Sequence, residues 1–318
     1  MNESTVKEET PSLEIEKTKS KLFDFENYTI LQMIAYPFAI YFKQFLKYFL
    51  IALIPEFIFF GIFQLVQIDV TFNVINGAWG VTFDPIADGA DIAFIILLIL
   101  AVIVFLLRSG IISSITWKSA EKGRTNPIWA VEATFRQTSK FVLSAIIMIF
   151  FMAIPSIFIV LALIYSGNDR LQGLSWFLMA ASFALPLIFG SRICLFSTGI
   201  TKDYYPAGTS FQKSWEFTKG KLWLRTIILL TFFVTLGVIG PLILTQVLEG
   251  IAPAHLRVWA SFGMIFGRAL LYPLLDISLS MSYMNAQSQA LDKAVFKEDI
   301  KKQQLLSEKF MQSKKNKY

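Results

Sequence analysis

Six long apolar stretches dominate the sequence and leave few ways for it to fold in water. Each has close to or more than the roughly 20 residues that a helix needs to cross a bilayer. Only 16% of the residues are charged, against about 25% in soluble domains. The sequence predicts an all-α, polytopic membrane protein with six transmembrane helices, at Tyr48–Val66, Ile92–Thr116, Phe141–Tyr165, Leu174–Ile200, Leu222–Leu248 and Val258–Met281.

Lysine and arginine are distributed very unevenly between the two sets of loops. The two termini and the loops on their side hold 23 of them, whereas the three opposite loops hold only Arg170 and Arg257. Cytoplasmic loops are the positively charged ones, so both termini are expected in the cytoplasm. We expect a mobile tail over residues 1–29, a membrane domain over 30–285 and a Lys-rich tail over 286–318. This charge favours anionic lipid as a partner and not nucleic acid, because no basic domain stands clear of the membrane.

The loop that follows the first predicted span carries a hairpin signal. Apolar residues alternate on both sides of Asn76-Gly77, a pair that suits the tight turn of a β-hairpin. We therefore expect two short antiparallel strands on the outer side of the membrane.

An internal repeat indicates that the spans form three helical hairpins. FKQFLKYFLIA at residues 42–52 matches FRQTSKFVLSA at 135–145, and EFTKGKLWLRT at 216–226 is a weaker copy. The even-numbered spans resemble one another as well, and each carries an arginine. These patterns predict three units, approximately 30–116, 125–200 and 206–283, each opening with a lead-in helix. That helix lies either in the inner interface or in a cytoplasmic loop packed on its neighbours. The matched positions are Lys47, Lys140 and Lys221, and Arg108, Arg192 and Arg268.

Five ionisable residues lie deep within the predicted spans, where charges are costly and often functional. They are Glu56, Arg108, Arg192, Arg268 and Asp276. Glu56 and Arg108 lie at the same depth, nine residues from the inner ends of neighbouring helices, so we expect them to form an ion pair. The remaining excess of arginine has two interpretations. The arginines line an inner cavity for an anion such as phosphate, or each one caps a lead-in helix or reaches the inner surface.

The segment SRICLFSTGITKDYYPAGTSFQKSWEFTKGKLWLRTIILL, residues 191–230, resembles a known membrane domain. That domain is fused to some bacterial glycerophosphoryl diester phosphodiesterases and has stand-alone prokaryotic relatives. The resemblance rests on Arg192, Ser214, Trp215, Lys219, Gly220, Lys221 and Trp223. It implies a six-span domain of poorly defined function. It does not imply the phosphodiesterase activity, because no soluble segment is long enough for a catalytic barrel of roughly 250 residues.

The residue types argue against most catalytic sites. A single histidine, His255, and a single cysteine, Cys194, offer little to a catalytic triad, a metal site or a thiolate cluster. We therefore expect a non-enzymatic protein without cofactor or metal: a lipid-interacting scaffold, or an accessory subunit with a protein partner in the membrane. The alternative is a transporter or channel for a small anionic solute or lipid headgroup, with the arginines lining its inner cavity.

Overall fold

The protein is helical apart from one β-hairpin over the residues that the structure describes. This computed structural model describes residues 29–66, 69–75, 78–84, 90–123, 125–166, 171–241, 243, 262–263 and 265–290. The helices are α1 (Ile30–Lys43), α2 (Phe45–Val66), α3 (Ala90–Lys122), α4 (Pro127–Phe135), α5 (Thr138–Ser166), α6 (Gln172–Ile193), α7 (Phe196–Asp203), α8 (Ala207–Phe217), α9 (Lys221–Val234) and α10 (residues 265–290).

The predicted hairpin is present between α2 and α3. Strand β1 (Asp69–Ile75) pairs antiparallel with β2 (Ala78–Asp84), and the innermost pair is Ile75 with Ala78. The two residues between the strands, Asn76 and Gly77, lie outside the described part of the chain, and so does the type of turn.

Three helical segments are long and apolar enough to cross a membrane: Ile99–Lys122, Thr138–Tyr165 and Gln172–Asp203. Two further segments qualify only if a sharply bent pair of helices is counted as one span, which makes up to five within the described residues. The structure therefore supports a membrane protein with several spans, whereas the predicted number of six is not established.

The predicted lead-in helices are separate from the helices that follow them. In α1, Thr29 and Gln32 form a capping box, the reciprocal arrangement that fixes a helix start. The N-cap of α4 is Asn126, followed by a proline at the first helical position. The axes of α1 and α2 meet at 90°, and those of α8 and α9 at 107°. Gly220 lies at the second bend and has a φ of +64°. Residues with a side chain rarely adopt this backbone conformation.

The core is formed by the C-terminal halves of α3 and α10 and by most of the short helix α7. α3 is the central one, because α2, α4, α5 and α7 all pack against it. In α7 every residue from 196 to 201 is buried, and in α10 every residue from 273 to 286. A helix surrounded by protein needs no apolar face toward lipid, so α10 can carry polar residues throughout this buried stretch.

Each lead-in helix packs against a helix from the predicted repeat before it. Trp129 of α4 contacts Trp117 of α3, with ring centroids 5.8 Å apart. Phe211 of α8 stacks on Phe196 of α7 at 4.5 Å. α1 closes the circle by packing on α9 through Phe38 and Phe233 and by sharing one core cluster with α10.

Glycines permit two of the closest helix approaches. A Cβ added at Gly110 of α3 would lie 2.5 Å from Cζ of Phe141 and 2.8 Å from Cγ2 of Thr134, so α4 and α5 pack on α3 only because that side chain is missing. Gly237 lies in a π-helical turn, Thr235–Ile239, that continues α9. A Cβ there would lie 3.2 Å from the Tyr272 backbone in α10.

Parts of the predicted organisation lie outside the described residues. The tail before residue 29 and the segment from 291 onward are not described, and neither is most of the range 242–264. Residue 285, the predicted end of the membrane domain, lies within α10, which is described to residue 290.

Candidate functional site

The predicted ion pair between Glu56 and Arg108 is present. Glu56 of α2 accepts a hydrogen bond from Arg108 of α3, with 3.0 Å between Oε1 and Nη1, and the two side chains are 4% and 0% exposed. The guanidinium carbon also lies 3.8 Å from the ring centroid of Tyr272 and 4.4 Å from that of Phe105. Aromatic faces attract cations, so these rings surround the part of the guanidinium that makes no hydrogen bond within the described residues.

Arg268 of α10 binds the same carboxylate. Its Nη2 lies 3.5 Å from Oε1 of Glu56, and its side chain is 25% exposed. The repeat predicts that Arg268 lies level with Arg108 in the membrane, but in the structure it does not. Ser109 bonds Asp276, and Ser113 bonds Ser280, so the α10 residue level with Arg108 is number 275. Arg268 lies seven residues away from that level, which is about 10 Å along the helix.

Asp276 lies at the start of a buried column of hydroxyl groups. Its Oδ1 accepts a hydrogen bond of 2.7 Å from Ser109, while Oδ2 has no partner in the described part of the chain. From Ser109 the hydrogen bonds continue from one hydroxyl to the next between α3, α7 and α10. This hydroxyl column consists of Ser109, Ser113, Ser197, Thr198 and Ser280.

A second polar group lies nearer the C-terminal ends of the same helices. Asp203 at the end of α7 accepts hydrogen bonds from Tyr283 and Gln287 of α10. Lys202 donates to Gln287 and lies 3.5 Å from Glu121 of α3. The three core helices are therefore joined by polar contacts at two levels, and Tyr283 lies three residues after Ser280 on α10.

Arg192 does not contact this charge network in the described structure. Its Nη1 donates a 2.7 Å hydrogen bond to the carbonyl of Thr218, the C-cap of α8. Its guanidinium lies between Trp215 and Trp223, with centroid distances of 5.2 and 4.9 Å. Of the two interpretations of the arginines, capping of a lead-in helix holds for Arg192. The network that remains has two arginines and two carboxylates, so the predicted excess of positive charge is absent from it.

The residues that carry the family resemblance hold α8 against α6 and α7. Ser214 bridges the break between those two helices, because its Oγ donates to the Arg192 carbonyl and accepts from the Leu195 amide. Trp215 covers one face of Arg192. Lys219, Gly220 and Lys221 form the bend into α9, where the Trp223 amide donates to the Gly220 carbonyl. The motif therefore has a structural role at this bend.

Two of the three repeat lysines make the same contacts. Lys47 donates to Oε1 of Gln44 and to the Thr125 carbonyl, at 3.2 and 2.8 Å. Lys140 donates to Oε1 of Gln137 and to the Tyr204 carbonyl, at 3.3 and 2.7 Å. The third lysine, Lys221, is exposed and makes no corresponding bond among the described residues. The contacts of Lys47 and Lys140 are therefore alike, while the repeat of three units stays a prediction.

Sequence reasoning missed the hydroxyl column, although a signal was present. Serine and threonine are concentrated in SGIISS, FSTGIT and DISLSMS, which are the buried parts of α3, α7 and α10. In membrane helices, such residues commonly bond across helix interfaces. Clustering in corresponding halves of alternate helices was the available clue.

Comparison with known proteins leaves the family open. No family model, curated protein or solved structure matches the chain. Membership in the membrane-domain family that residues 191–230 resemble therefore stays a prediction.

Proposed function

We propose that this chain is a six-span membrane protein that acts as a lipid-interacting scaffold or an accessory subunit, without catalysis of its own. In this proposal both termini are cytoplasmic, and α1, α4 and α8 lie along the inner interface as the lead-ins of three hairpins. The observation that carries it is the near-perpendicular bend after α1 and after α8. If α2 and α9 run across the bilayer, the helices before them lie in its plane.

Exposed apolar side chains on the lead-in helices support an interfacial position. Leu31 and Phe42 of α1 are 76% and 67% exposed, and Ile128 of α4 is 73% exposed. A helix that lies in the interface places such side chains among the headgroups and upper acyl chains. Three helices of this kind give the protein a large area of lipid contact on one side of the membrane.

The central polar groups support a structural role for the bundle. Glu56 binds Arg108 and Arg268, the hydroxyl column binds Asp276, and most of these groups are buried. Each contact joins different helices, and buried polar contacts of this kind help to specify which helices pack together. This arrangement suits a protein whose surface, and not its interior, meets its partners.

Retention of lipid by the purified protein tests the proposed function. The full chain is transferred to detergent micelles containing equal amounts of phosphatidylglycerol and phosphatidylcholine, and bound lipid is counted by native mass spectrometry. We expect several phosphatidylglycerol molecules to remain bound in preference to phosphatidylcholine, because the cytoplasmic face is basic. Equal retention of both lipids contradicts a role in binding anionic lipid.

The transport alternative is favoured by one observation. The hydroxyl column connects Asp276 to the start of α7 and to the C-terminal halves of α3 and α10, and polar chains of this kind occur along substrate and proton pathways. If the column conducts, proteoliposomes should show anion or proton flux that Asp276→Asn abolishes. Flux equal to that of empty liposomes rules this alternative out.

A further inference from the structure

A pocket with a volume of about 350 Å³ opens where α4 turns into α5. We call it the elbow pocket. Its walls come from α4, from the first turn of α5 and from the residue that ends α7. They are formed by Trp129, Glu132, Arg136, Gln137, Lys140 and Tyr204.

One wall of the elbow pocket holds an unsatisfied donor. Gln137 is only 5% exposed, and its Nε2 has no hydrogen-bond partner in the described structure. The bond from Lys140 to Oε1 fixes the orientation of the amide, so Nε2 is the free end. An unpaired buried donor costs roughly 1–3 kcal/mol, which indicates that an acceptor is missing at this position.

The first repeat provides an internal comparison. Gln44 corresponds to Gln137, but its Nε2 donates to Ser119 at 2.8 Å. The pocket at that elbow is smaller, about 160 Å³, and is lined by Lys43 and Gln44 among others. The same local structure is therefore closed by the protein in the first repeat and left open in the second.

Tyr204 is a second difference between the two elbows. It ends α7 with a φ of +58°, whereas the residue that follows α3 at the first elbow is Gly123, with a φ of +79°. A bulky residue is costly in this left-handed region, and such strain is often found at ligand contacts. Tyr204 places an exposed ring at the elbow pocket.

The charges around the elbow pocket favour an anion. Lys140 uses two of its three donors within the protein, so one remains for a ligand. Arg136 is paired with Glu132, but both side chains are largely exposed, at 76% and 58%. Lys118 lies on the Trp129 ring, 3.0 Å from its centroid. Two cations, Arg136 and Lys140, therefore line the pocket together with one carboxylate, that of Glu132.

We propose that the elbow pocket binds a phosphate group, with Gln137 Nε2, Lys140 and Arg136 as its donors. The phosphate belongs to a lipid headgroup or to a free phosphate. The lipid source rests on the proposed function, which places α4 in the headgroup region. Trp129 and Tyr204 then contact the glycerol or the first part of the acyl chains, as aromatic residues do at membrane interfaces.

The test compares matched substitutions at the two elbows of the full-length protein. Gln137→Glu keeps an acceptor for Lys140 but replaces the free donor with a negative charge. Gln44→Glu makes the same change at the closed elbow. For each protein, binding of short-chain phosphatidylglycerol, short-chain phosphatidylcholine and inorganic phosphate is titrated separately in detergent, with native mass spectrometry and the shift in unfolding temperature as readouts.

We expect Gln137→Glu to weaken phosphatidylglycerol binding at least about tenfold through like-charge repulsion, and Gln44→Glu to change it less than about twofold. Tyr204→Gly relieves backbone strain, and we expect it to weaken binding without loss of folding. Inorganic phosphate that competes with the lipid identifies a phosphate site open to both sources, whereas phosphate without effect identifies the lipid alone.

Equal effects of Gln137→Glu and Gln44→Glu, or no effect of either, would overturn the assignment of the elbow pocket. The proposed function fails on a different result. If the unsubstituted protein binds phosphatidylcholine as well as phosphatidylglycerol, the preference for anionic lipid is absent. If Gln137→Glu binds phosphatidylglycerol as tightly as the unsubstituted protein and still in preference to phosphatidylcholine, the proposed function is supported and the assignment of the elbow pocket is wrong.

Discussion

Glu56 forms ion pairs with two arginines from different helices. It accepts a hydrogen bond from Arg108 at 3.0 Å and lies 3.5 Å from Arg268. In the predicted repeat, the positions of α5 and α9 that match Glu56 hold Ile149 and Leu230. Neither of these two positions supplies a carboxylate. This difference explains why Arg108 binds within its own hairpin, whereas Arg192 binds the next lead-in helix.

Substitution of the two partners of the pair should have unequal effects. Glu56→Gln leaves two arginines without their carboxylate. It should lower the free energy of unfolding by about 3 kcal/mol, the lower end of the range for breaking a buried pair. Arg108→Gln should cost less, because Glu56 keeps Arg268. Thermal unfolding in detergent measures both changes and the double substitution, which should be milder than the sum. Strictly additive losses would show that the pair contributes no coupling. Glu132→Gln, in an exposed ion pair, serves as the control and should change little.

Two helical glycines should respond oppositely to the same change. At Gly110→Ala the new methyl group meets Phe141 and Thr134, both fully buried, and overpacking of this kind costs about 1–3 kcal/mol. At Gly190→Ala nothing lies within 4 Å, so the better helix propensity of alanine should raise stability by up to about 1 kcal/mol. Unfolding temperatures of the two variants give the comparison. A stable Gly110→Ala protein would show that α4 and α5 can move away from α3.

At the scale of elements, the lead-in helices depend on their caps and bends. Arg192 binds the last carbonyl of α8, and Ser214 of α8 binds back to the break between α6 and α7. The contact is reciprocal, since each helix satisfies backbone groups at the end of the other. The position of α8 is thus fixed by hydrogen bonds as well as by packing.

Arg192→Lys separates capping from anion binding. Lysine keeps the charge but cannot lie flat between Trp215 and Trp223 while it reaches Thr218. We expect a loss of about 1–3 kcal/mol in stability and unchanged binding of phosphatidylglycerol. Thermal unfolding and lipid titration on the same sample measure the two effects. Weakened lipid binding with unchanged stability would contradict the capping role and indicate that Arg192 binds an anion.

The sequence could predict which segments are helical and how deep a residue lies within its span. It could not predict how each helix is rotated about its axis or which helix of another hairpin it contacts. The rise of a helix is constant, so counting residues placed Glu56 and Arg108 at one level. The match of IFGRALLYPLLDIS to the other even-numbered spans predicts Arg268 at the level of Arg108, but the contacts of Asp276 and Ser280 place residue 275 at that level. Likewise, no pattern in one hairpin reports which helix of another hairpin it touches. The hydroxyl column and the cap at Thr218 both depend on such contacts.

At the scale of the whole molecule, the proposed topology makes a direct prediction. Reporter fusions at Gly123 and Lys213 should be cytoplasmic and a fusion at Gly77 should be external, because the basic loops stay inside. An external reporter at Gly123 or Lys213 would contradict the arrangement of three hairpins that all enter from the cytoplasm.

Spin labels give the depth of the lead-in helices in a Cys194→Ser background. A nitroxide at Ile128→Cys of α4 should report headgroup depth, while one at Phe150→Cys of α5 should report the acyl region. Both side chains are 73% exposed, so the labels should not disturb packing. Accessibility to oxygen and to a water-soluble nickel chelate measures depth. A label at Ile128 that is freely accessible to nickel would place α4 in a cytoplasmic loop.

The circular order of the lead-in contacts has a consequence for biogenesis. α4 and α8 pack on helices that the ribosome has already made, whereas α1 packs on α9 and shares its core cluster with α10. α1 can therefore complete its packing only after α9 and α10 have been made. Until then, Met33, Ile40 and Tyr41, all buried in the folded protein, need temporary cover from lipid or from the insertion machinery. A ribosome-stalled chain that lacks α10 should accordingly be cleaved by protease near α1.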